Sequence, residues 1–387
     1  MFNSCFFMEI TLINSEHLSY ESLPYGFGVI ISALKKSNIK PFIIDYNFLR
    51  RFGNLEITFS TNEINKFLYS NILSERMIFF FEKISKEIST KIVCFSCFSF
   101  ESLKQSLILA KYIKKLDSKK IIVFGGIGTF NHEHSLMKEF TFIDFIIMRK
   151  SEQQLCELIN LLYENKDFSK ISNLVYRNSN KHIRSNKLAT YNIESQSSPD
   201  YDFYFDIKKD WDIQYMTSDG CVNKCAFCSL TDNSPIYKST KKITTDLKYL
   251  KSKYNSKCFS FQDDNINTNH KRTIELMNSI KNTDIKWYAL SSANLMTKKI
   301  IRAMSSAGCR WIQFGLESGS NNILKLMNKP VNLKRFVEVM KNCVEVNIKP
   351  QLNIIMGYPG ETESDVDKTL SYLKDNRKHF SHVNCYL

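Results

Sequence analysis

Three cysteines in one short stretch are the residues of this chain best suited to bind a metal centre. Cys221, Cys225 and Cys228 follow a half-apolar run at 211–218 that predicts a β-strand. Thiolates are ligands of zinc and of iron–sulfur clusters. A cluster of four irons offers four ligand positions, so three cysteines would leave one iron open to another ligand. A zinc site that lacks its fourth ligand and a chance group of buried thiols are the alternatives.

The spacing of these cysteines, with Phe227 immediately before the last of them, resembles the signature of the radical S-adenosylmethionine (SAM) enzymes. The resemblance implies that SAM chelates the open iron of a 4Fe-4S cluster and that Phe227 lies near the adenine. It also implies reductive cleavage of SAM to methionine and a 5′-deoxyadenosyl radical, which takes a hydrogen atom from the substrate. Such a reaction requires an electron donor, for example a flavodoxin or a ferredoxin.

The second half of the chain, 211–387, alternates strand and helix patterns, which predicts parallel strands joined by helices. The strand patterns lie at 211–218, 258–265, 286–294, 310–318, 351–360 and 382–387, and the helical patterns at 243–254, 269–281, 297–307, 320–346 and 363–374. We therefore predict a six-stranded partial (β/α)6 barrel, similar to a TIM barrel, with its chemistry at the carboxyl ends of the strands.

Motifs at these strand ends extend the resemblance to radical SAM enzymes over 211–387. They are the aspartate pair in Phe-x-Asp-Asp-Asn, the motif Gly-Leu-Glu-Ser-Gly-Ser and the motif Gly-Tyr-Pro-Gly-Glu-Thr. The resemblance implies that SAM is contacted by Asp263, Asp264, Glu317, Ser318, Ile355 and Gly357.

Each pair in that set has its own implied role. Asp263 and Asp264 would lie near the SAM amino group, while Glu317 and Ser318 would contact the ribose or the amino acid part. Ile355 and Gly357 would meet the adenine. The alternative for the two aspartates is to cap the following helix together with Asn265. Many relatives carry Arg at position 292, where this chain has Ser, so a contact to the SAM carboxylate is expected to be missing.

The first 165 residues alternate apolar runs with helical patterns, which predicts a doubly wound, Rossmann-like parallel sheet. The strand patterns lie at 9–14, 40–45, 91–96, 120–124 and 142–147, and the helices at 28–36, 101–116 and 152–163. Residues 48–88 break this rhythm with aromatic, mostly helical sequence, which we interpret as an insertion packed on the domain.

Ligands of such sheets bind beyond the carboxyl ends of the strands. Ser96 ends one predicted strand, and Gly125 and Gly126 follow the next. With the motif at 24–28 and the position before the barrel, these residues resemble the cobalamin-binding domain of cobalamin-dependent radical SAM enzymes. The resemblance implies that Ser96, Gly125 and Gly126 hold the nucleotide tail of cobalamin.

Two features depart from that family. The domain contains no Asp-x-His-x-x-Gly motif, so no histidine is available in the usual position to ligate cobalt. The family commonly has Gly-Glu-x-Glu after the fifth strand, where this chain has Arg149 to Glu152 and keeps only the last glutamate. An Arg in place of the Gly would fill space that a cofactor could use.

Residues 166–210 join the two predicted domains. An alternating pattern at 173–184 turns at a polar Asn-Ser-Asn and predicts a hairpin, and polar sequence with Ser and Pro continues to residue 200. We interpret 166–210 as a linker that contains the hairpin.

The net charge of +14 raises the question of a nucleic-acid partner. The lysines are scattered, however, and are not interleaved with aromatic residues, so a solvated basic surface is the favoured interpretation. No apolar run is long enough to span a bilayer and the start has no export signal, which predicts a cytoplasmic protein.

The eleven cysteines favour a reducing compartment. Eight of them lie outside the motif and are expected to be mainly core residues: Cys5, Cys94, Cys97, Cys156, Cys258, Cys309, Cys343 and Cys385. The chain ends at Leu387 without the helix that usually follows the sixth strand. An apolar flank would then be open, so a partner, a dimer and a shortened, inactive product are all expectations to consider.

The resemblance as a whole predicts a cobalamin-dependent methyltransferase that acts on an unactivated centre of a small molecule or natural product. One alternative is a radical SAM enzyme without cobalamin, including one similar to tRNA methylthiotransferases. Those enzymes carry three further cluster-binding cysteines in their N-terminal domain, and these are not evident here. Another alternative is a non-catalytic remnant that binds the cofactors without turnover.

Overall fold

The computed structural model describes residues 8–15, 22–52, 58–164, 167–229 and 234–387. The chain divides into a first unit that extends to Tyr191 and a second unit formed by Ser22–Tyr25 and Asn192–Leu387. Within the described residues, no helix combines the length and the apolar character needed to cross a bilayer.

The first unit is built on a seven-stranded sheet with the order β2-β1-β3-β4-β5-β6-β7. Its elements are β1 (Met8–Asn14), α1 (Tyr25–Lys36), β2 (Ile39–Asp45), α2 (Tyr46–Phe52), α3 (Thr61–Ser70), α4 (Glu75–Lys86), β3 (Ile92–Ser96), α5 (Phe100–Leu116), β4 (Ile121–Gly125), α6 (Glu133–Glu139), β5 (Phe145–Ile147), α7 (Glu152–Glu164), β6 (Leu174–Arg177) and β7 (Ile183–Ser185). Strands β1 to β5 are parallel, which confirms the predicted doubly wound sheet.

The central strands of this sheet are buried on both faces. Four of the five residues of β3, and the last five residues of β1, are buried. This explains why these strands appear in the sequence as continuous apolar runs rather than as alternating patterns.

The described parts of the segment 48–88 are mostly helical, as the sequence predicts, and they supply part of the core. Phe67, Phe80 and Phe81 are fully buried in one hydrophobic cluster with residues of β3 and α5. The segment lies along the chain between β2 and β3, which are separated in the sheet by β1. It therefore forms part of the crossover as well as packing on the domain.

Glu63 joins the starts of α3 and α4. Its carboxylate accepts hydrogen bonds from the backbone N–H and the hydroxyl of Ser60, accepts one from the hydroxyl of Ser74, and pairs with Arg76 at 3.1 Å. Burial raises the pKa of Glu63, but the hydrogen bonds from Ser60 and Ser74 and the charge of Arg76 outweigh burial and lower it to about 2. Because the pKa in the folded state lies below its ordinary value, this carboxylate stabilises the fold at neutral pH. The contribution is lost as the pH falls toward 2.

We therefore expect Glu63→Gln to lower the free energy of unfolding at pH 7 by about 1 kcal/mol, the usual value of a capping interaction at a partly exposed site. The difference between variant and wild type should shrink as the pH falls from neutral toward about 2. Urea unfolding followed by circular dichroism measures both effects. The exposed Glu87, changed to Gln, is the matched control, and equal losses for Glu63→Gln at acidic and neutral pH would contradict the assignment.

The second unit contains a six-stranded sheet with the order β15-β14-β13-β12-β11-β8 and a short ribbon of β9 with β10. Its elements are α8 (Asp202–Phe205), β8 (Ile213–Tyr215), β9 (Ser218–Asp219), β10 (Ile236–Tyr237), α9 (Thr240–Tyr254), β11 (Cys258–Phe261), α10 (His270–Ile280), β12 (Lys286–Ser291), α11 (Lys298–Ser306), β13 (Cys309–Glu317), α12 (Asn321–Leu326), α13 (Leu333–Glu345), β14 (Lys349–Ile355), α14 (Glu363–Asp375) and β15 (His382–Tyr386). All neighbouring strands of the six are parallel, which confirms the predicted barrel-like sheet.

One face of this sheet packs against the helices. Phe314 of β13 packs edge-on against Phe336 of α13, and the indole N–H of Trp287 on β12 donates to the carbonyl of Ala307, just after α11. The residues that alternate with these along the strands point to the opposite face and are mostly half-buried and polar. The sheet therefore has an apolar outer face and a polar inner face.

The expected linker contains a hairpin that belongs to the first sheet. Strand β6 pairs antiparallel with β5, and β7 pairs antiparallel with β6. The division between the units falls between Tyr191 and Asn192, so the hairpin is part of the first unit and not of a free connection at 166–210.

The cysteines outside the motif differ in burial. Cys258 and Cys385 are exposed, so the prediction that they are core residues is wrong for these two. Cys5 lies outside the described residues. The remaining five are buried as predicted: Cys94, Cys97, Cys156, Cys309 and Cys343.

Candidate functional site

The cysteine loop begins directly after β9, beyond the carboxyl end of β8. Cys225 is 5% exposed, whereas Cys221 and Cys228 are half-buried. The backbone N–H of Cys228 donates to the carbonyl of Cys225 at 3.1 Å, so the last two cysteines share one turn. The loop thus presents three thiols at the edge of the sheet where parallel-sheet enzymes place their sites.

The loop is tied to the segment that follows α12. The backbone N–H of Ala226 donates to the carbonyl of Met327 at 2.8 Å, and the side-chain amide of Asn328 donates to the carbonyl of Lys224 at 2.6 Å. These bonds satisfy backbone groups that an irregular loop would otherwise leave unpaired. They also fix the position of the cysteines relative to β13.

The three thiols lie close enough to influence one another. Burial raises the pKa of Cys225, the nearby Lys329 opposes that rise, and the charges of Cys228, Glu317 and Cys221 add to it. The raised pKa favours the protonated thiol of Cys225. Bound metal would favour the thiolate instead, because thiols that coordinate metal are deprotonated.

The donor set fits an iron–sulfur cluster. In the described part of the chain, no three Cys, His, Asp or Glu side chains converge as the ligands of one metal ion do. In a cubane cluster each thiolate binds a different iron, so the ligands stand apart by the breadth of the cluster. Cys221, Cys225 and Cys228, whose thiols share one loop, are the residues that would hold such a group.

A network of amides and one hydroxyl supports the first cysteine. The side-chain amide of Asn265 approaches the sulfur of Cys221 at 3.7 Å and donates to the hydroxyl of Ser292 at 3.0 Å. Asn223, inside the cysteine motif, donates to the same hydroxyl at 2.8 Å. Ser292 thus connects the ends of β11 and β12 to the cysteine loop. Sequence reasoning did not find this role, and the run of polar residues after the two strands was its only signal.

Asp263 is fully buried and holds the chain just before the cysteine loop. Its carboxylate accepts from the backbone N–H of Thr217 at 2.7 Å, and from the hydroxyls of Thr217 and Ser218 at 2.5 Å each. Arg272 donates to the carbonyl and the hydroxyl of Thr217 at 2.9 Å. Burial lowers the pKa of this guanidinium, and the charge of Asp263 opposes that fall. Through these contacts with Thr217 and Ser218, Asp263 is a positioning residue for the loop.

Asp264 lies one residue further and supports the same loop. Its carboxylate accepts from the backbone N–H of Gly220 at 2.7 Å, immediately before the first cysteine. Gly220 has a φ of +93°, in the left-handed region that favours glycine. Asn269, rather than either aspartate, caps α10, so the alternative of a helix cap is wrong.

Glu317 forms a buried ion pair beside the cysteine loop. Its carboxylate accepts from the ammonium group of Lys329 at 2.7 Å, and this ammonium also lies 5.8 Å from the ring centre of Phe227. Glu317 itself has a φ of +65°, next to an irregularity in the pairing of β13 with β14. A side chain at Gly315 would overlap both members of the pair, so the glycine makes room for them. Sequence analysis missed Lys329.

The residues after Glu317 dock on α14. The hydroxyl of Ser318 lies 3.1 Å from that of Thr369, and the hydroxyl of Ser320 donates to Asp365 at 2.6 Å. Gly319 lies so close to Thr369 that a Cβ there would be 2.6 Å from its Cα. The buried Ser318 is thus already engaged by the protein, and its implied contact with SAM stays a prediction.

Ile355 and Gly357 flank the end of β14. Ile355 is the last residue of the strand, and Gly357 adopts a φ of +75° in the turn that follows. The N–H of Gly357 donates to the carboxylate of Glu361 at 2.6 Å. No described heavy atom lies within 4 Å of the position of a Cβ at Gly357, which leaves space beside the backbone.

In the first unit, Ser96 and Gly125 lie side by side at the carboxyl edge of β3 and β4. Gly126 has a φ of +100°, and a Cβ there would overlap the carbonyl of Cys97. The sequence therefore needs glycine at 126 so that two backbone turns can pack together, whether or not a ligand is present. Arg149 has a φ of +60°, which is the conformation that the usual Gly would favour, and its side chain is exposed.

Comparisons with known proteins agree with this arrangement. Residues 215–373 match the Radical SAM superfamily. The chain is 27% identical over 303 residues to the uncharacterized methyltransferase PH0819 of Pyrococcus horikoshii. The aligned region covers 76% of this chain and 66% of that protein. It is 25% identical over 336 residues to a tRNA-2-methylthio-N(6)-dimethylallyladenosine synthase of Buchnera aphidicola. This aligned region covers 81% of this chain and 72% of that protein.

The fold is also that of a solved structure. The radical SAM methyltransferase TsrM from Kitasatospora setae, solved with cobalamin and a [4Fe-4S] cluster bound, superposes with a TM-score of 0.73 at 15% identity. The superposition covers 98% of this chain and 72% of that one. At this identity the likeness shows that the two chains share a fold.

Proposed function

We propose that this chain, whose residues 215–373 match the Radical SAM superfamily, is a cobalamin-dependent methyltransferase. Its substrate would be a small molecule or natural product with an unactivated centre. The observation that carries this proposal is the loop of three thiols at the carboxyl edge of the six-stranded sheet. The similarity to a methyltransferase over 76% of this chain supports the reaction type.

The residues of the second unit would hold and orient the reacting groups. A bound cluster and SAM would supply the reductive cleavage of the sulfonium, which generates the radical. Cys221, Cys225 and Cys228 would bind three irons, while Asp263 and Asp264 keep the loop in position through Thr217 and Gly220. The ion pair of Lys329 and Glu317 would keep a balanced charge next to the cluster.

An apolar surface in the first unit supports the cobalamin part of the proposal. Phe98 and Phe100 are 65% and 63% exposed in the turn after β3, and Ile127 and Phe130 are 55% and 40% exposed after β4. The two turns touch, because the N–H of Gly128 donates to the carbonyl of Cys97 at 2.9 Å. Exposed apolar patches of this kind mark binding sites, and the macrocycle of cobalamin is a large ligand with apolar faces. We call these four side chains the apolar rim.

Cobalamin binding tests the proposal directly. We expect protein supplied with hydroxocobalamin to retain it through gel filtration, with a corrinoid absorption spectrum. Phe98→Asp should weaken binding about tenfold or more, because a phenylalanine that becomes buried contributes about 1.5–3 kcal/mol. Phe79 on α4 is 66% exposed and lies outside the apolar rim, so Phe79→Asp is the matched control. Absence of retained corrinoid in the wild type, or equal losses in both variants, would argue against cobalamin.

A methylthiotransferase is the second candidate, since the chain resembles one over 81% of its length. The described cysteines of the first unit are Cys94, Cys97 and Cys156, which are 2%, 0% and 6% exposed. Such burial raises the pKa of Cys94 and of Cys156 and disfavours the thiolate that binds metal. Iron analysis separates the candidates: one cluster gives about four irons per chain, and a second cluster doubles that number.

The remnant interpretation has its own test. Protein with a filled cluster, reduced in the presence of SAM, should form 5′-deoxyadenosine if it is an enzyme. A filled cluster without 5′-deoxyadenosine would favour cofactor binding without turnover.

A further inference from the structure

We propose that the inner face of the six-stranded sheet binds a substrate that is uncharged, carries a flat ring and presents an amide-like edge. This names the substrate class of the proposed methyltransferase and rests on that function. All residues of this site belong to the second unit and lie on the polar face opposite the helices.

The inner face is defined by strand alternation and register. Buried residues such as Phe314 and Trp287 contact the helices, so their neighbours along each strand point the other way. The inner residues in the middle of the sheet, taken strand by strand in sheet order, are Gln214, Ser260, Tyr288, Leu290, Trp311, Gln313, Gln351, Asn353 and Asn384. Leu290 is 38% exposed, so this face borders open space.

Three amides on neighbouring strands form a connected row. The side-chain N–H of Gln313 donates to the carbonyl oxygen of Asn353 at 2.6 Å, and that of Asn384 donates to the same oxygen at 3.0 Å. These bonds link β13, β14 and β15 across the inner face. They also orient the central amide group, because its oxygen is held between two donors.

The row keeps free hydrogen-bonding capacity. Among the described residues, the amide nitrogen of Asn353 and the side-chain oxygens of Gln313 and Asn384 have no hydrogen-bond partner. One donor group therefore stands between two acceptors. A ligand edge with an acceptor between two donors is the complement of this row, and amides and related neutral groups carry such edges.

Two aromatic rings lie toward the amino ends of the strands. Tyr288 and Trp311 stack with their ring centres 4.8 Å apart and an interplanar angle of 13°. Both are partly exposed, unlike Trp287, which is 1% exposed. Partly exposed aromatic faces favour a flat ring of the ligand, through apolar and stacking contacts.

The amide row of Gln313, Asn353 and Asn384 contains no charged side chain, whereas Lys349 is level with Trp311 and Asp212 contacts Tyr288. At the amino ends lie Asp212, Lys286 and Lys349, and at the carboxyl ends Glu317 is already paired with Lys329. The exposed His382 of the edge strand is level with Gln351 and is the titratable group nearest to the amide row in the strand register. A charged ligand group at the amide row would lose water without gaining a counter-ion from the row, which is strongly unfavourable. The amide row therefore selects against charge.

Trp311 provides a signal for ligand binding that needs neither cluster nor cobalamin. The chain has three tryptophans, and Trp211 and Trp287 are buried at 6% and 1% exposure. The probe is N-acetylphenylalaninamide, which is neutral and has a ring and two amides. We expect it to change the fluorescence of the wild type in a saturable way and to have no effect on Trp311→Phe.

Charged analogues of the probe test selectivity. N-acetylphenylalanine is the anion of matched shape, and phenylalaninamide at about pH 6 is the cation, since its amine is then protonated. We expect both to bind at least about tenfold more weakly than the neutral probe, because neither finds a counter-ion. Tighter binding of either ion, or no saturable binding of the neutral probe, would overturn the proposal.

Two substitutions in the amide row assign the site. Asn353→Leu should weaken binding of the neutral probe about three- to tenfold, the effect of losing neutral hydrogen bonds. Asn353→Asp should shift the preference toward the cation by about tenfold, because it adds a charge without changing the shape. Asn347→Asp, on an exposed turn after α13, is the matched control and should change nothing. An unchanged preference in Asn353→Asp would place the probe elsewhere.

These results are independent of the proposed reaction. Saturable, selective binding by a protein that forms no 5′-deoxyadenosine would retain the site and reject the reaction. Formation of 5′-deoxyadenosine by a protein that prefers an ion would support the proposed reaction and reject the proposed substrate class.

Discussion

Replacement of Cys221, Cys225 and Cys228 together by alanine is expected to remove the cluster and all cleavage of SAM. After anaerobic reconstitution the wild type should hold about four irons per chain and the variant less than about one. The reason is that, within the described residues 220–229, these thiols are the only side chains among Cys, His, Asp and Glu, and the amides around them bind iron poorly. Iron and sulfide analysis, the visible absorption spectrum and 5′-deoxyadenosine formation measure the effect.

The control for this result is the pair of exposed cysteines elsewhere in the second unit. Cys258 and Cys385 are more accessible than the loop cysteines, so their replacement by alanine tests whether exposed thiols alone collect iron. We expect this double variant to load iron as the wild type does. A triple variant that keeps its iron would show that other residues bind it, and the proposed reaction would lose its site.

Substitution of Asp263 by alanine is expected to have the largest effect on stability. It removes the acceptor of three hydrogen bonds and the negative charge near the half-buried Arg272. Loss of one partner from a buried charged network costs about 3–5 kcal/mol. We expect a loss of this size in urea unfolding of the second unit, together with poor iron loading, since Thr217 and Ser218 precede the cysteine loop directly.

Two further variants separate positioning from general damage. Asp367 is exposed on α14, and its replacement by alanine should change the free energy of unfolding by less than about 0.5 kcal/mol. Asp263→Asn keeps the shape and part of the hydrogen bonding, so it should lose less stability than the alanine variant. If Asp263→Ala unfolds like the wild type and loads iron normally, the carboxylate does not hold the loop.

The sequence predicted the parts of the site that depend on local spacing. The three cysteines lie within eight residues, and the strand patterns of 211–387 alternate with helices, so pattern and motif suffice to place the loop at a strand end. The six parallel strands and the first doubly wound sheet are confirmed.

The remaining features depend on contacts between distant segments. Lys329 meets Glu317 and Phe227 only because the connection after α12 folds back over the cysteine loop. Ser292 was expected to mark a missing contact, whereas its hydroxyl accepts from Asn223 of the cysteine loop and from Asn265 after β11. Single-sequence patterns carry no information about such adjacency.

The boundary between the units shows the same limit. The hairpin near 173–184 was recognisable from its alternation, but its partner was not. The hairpin extends the first sheet because β6 pairs antiparallel with the edge of β5. Such pairing is set by tertiary packing rather than by local composition.

The bond between Asn328 and Lys224 joins residues 104 positions apart. At a synthesis rate of about 5–20 residues per second, the thiols would leave the ribosome roughly 5 to 20 s before the segment that braces them. During that interval the segment that holds the cysteine loop has not been synthesised, so iron delivered early would meet an unfolded loop. We therefore expect the metal centre to assemble only after most of the second unit has emerged from the ribosome.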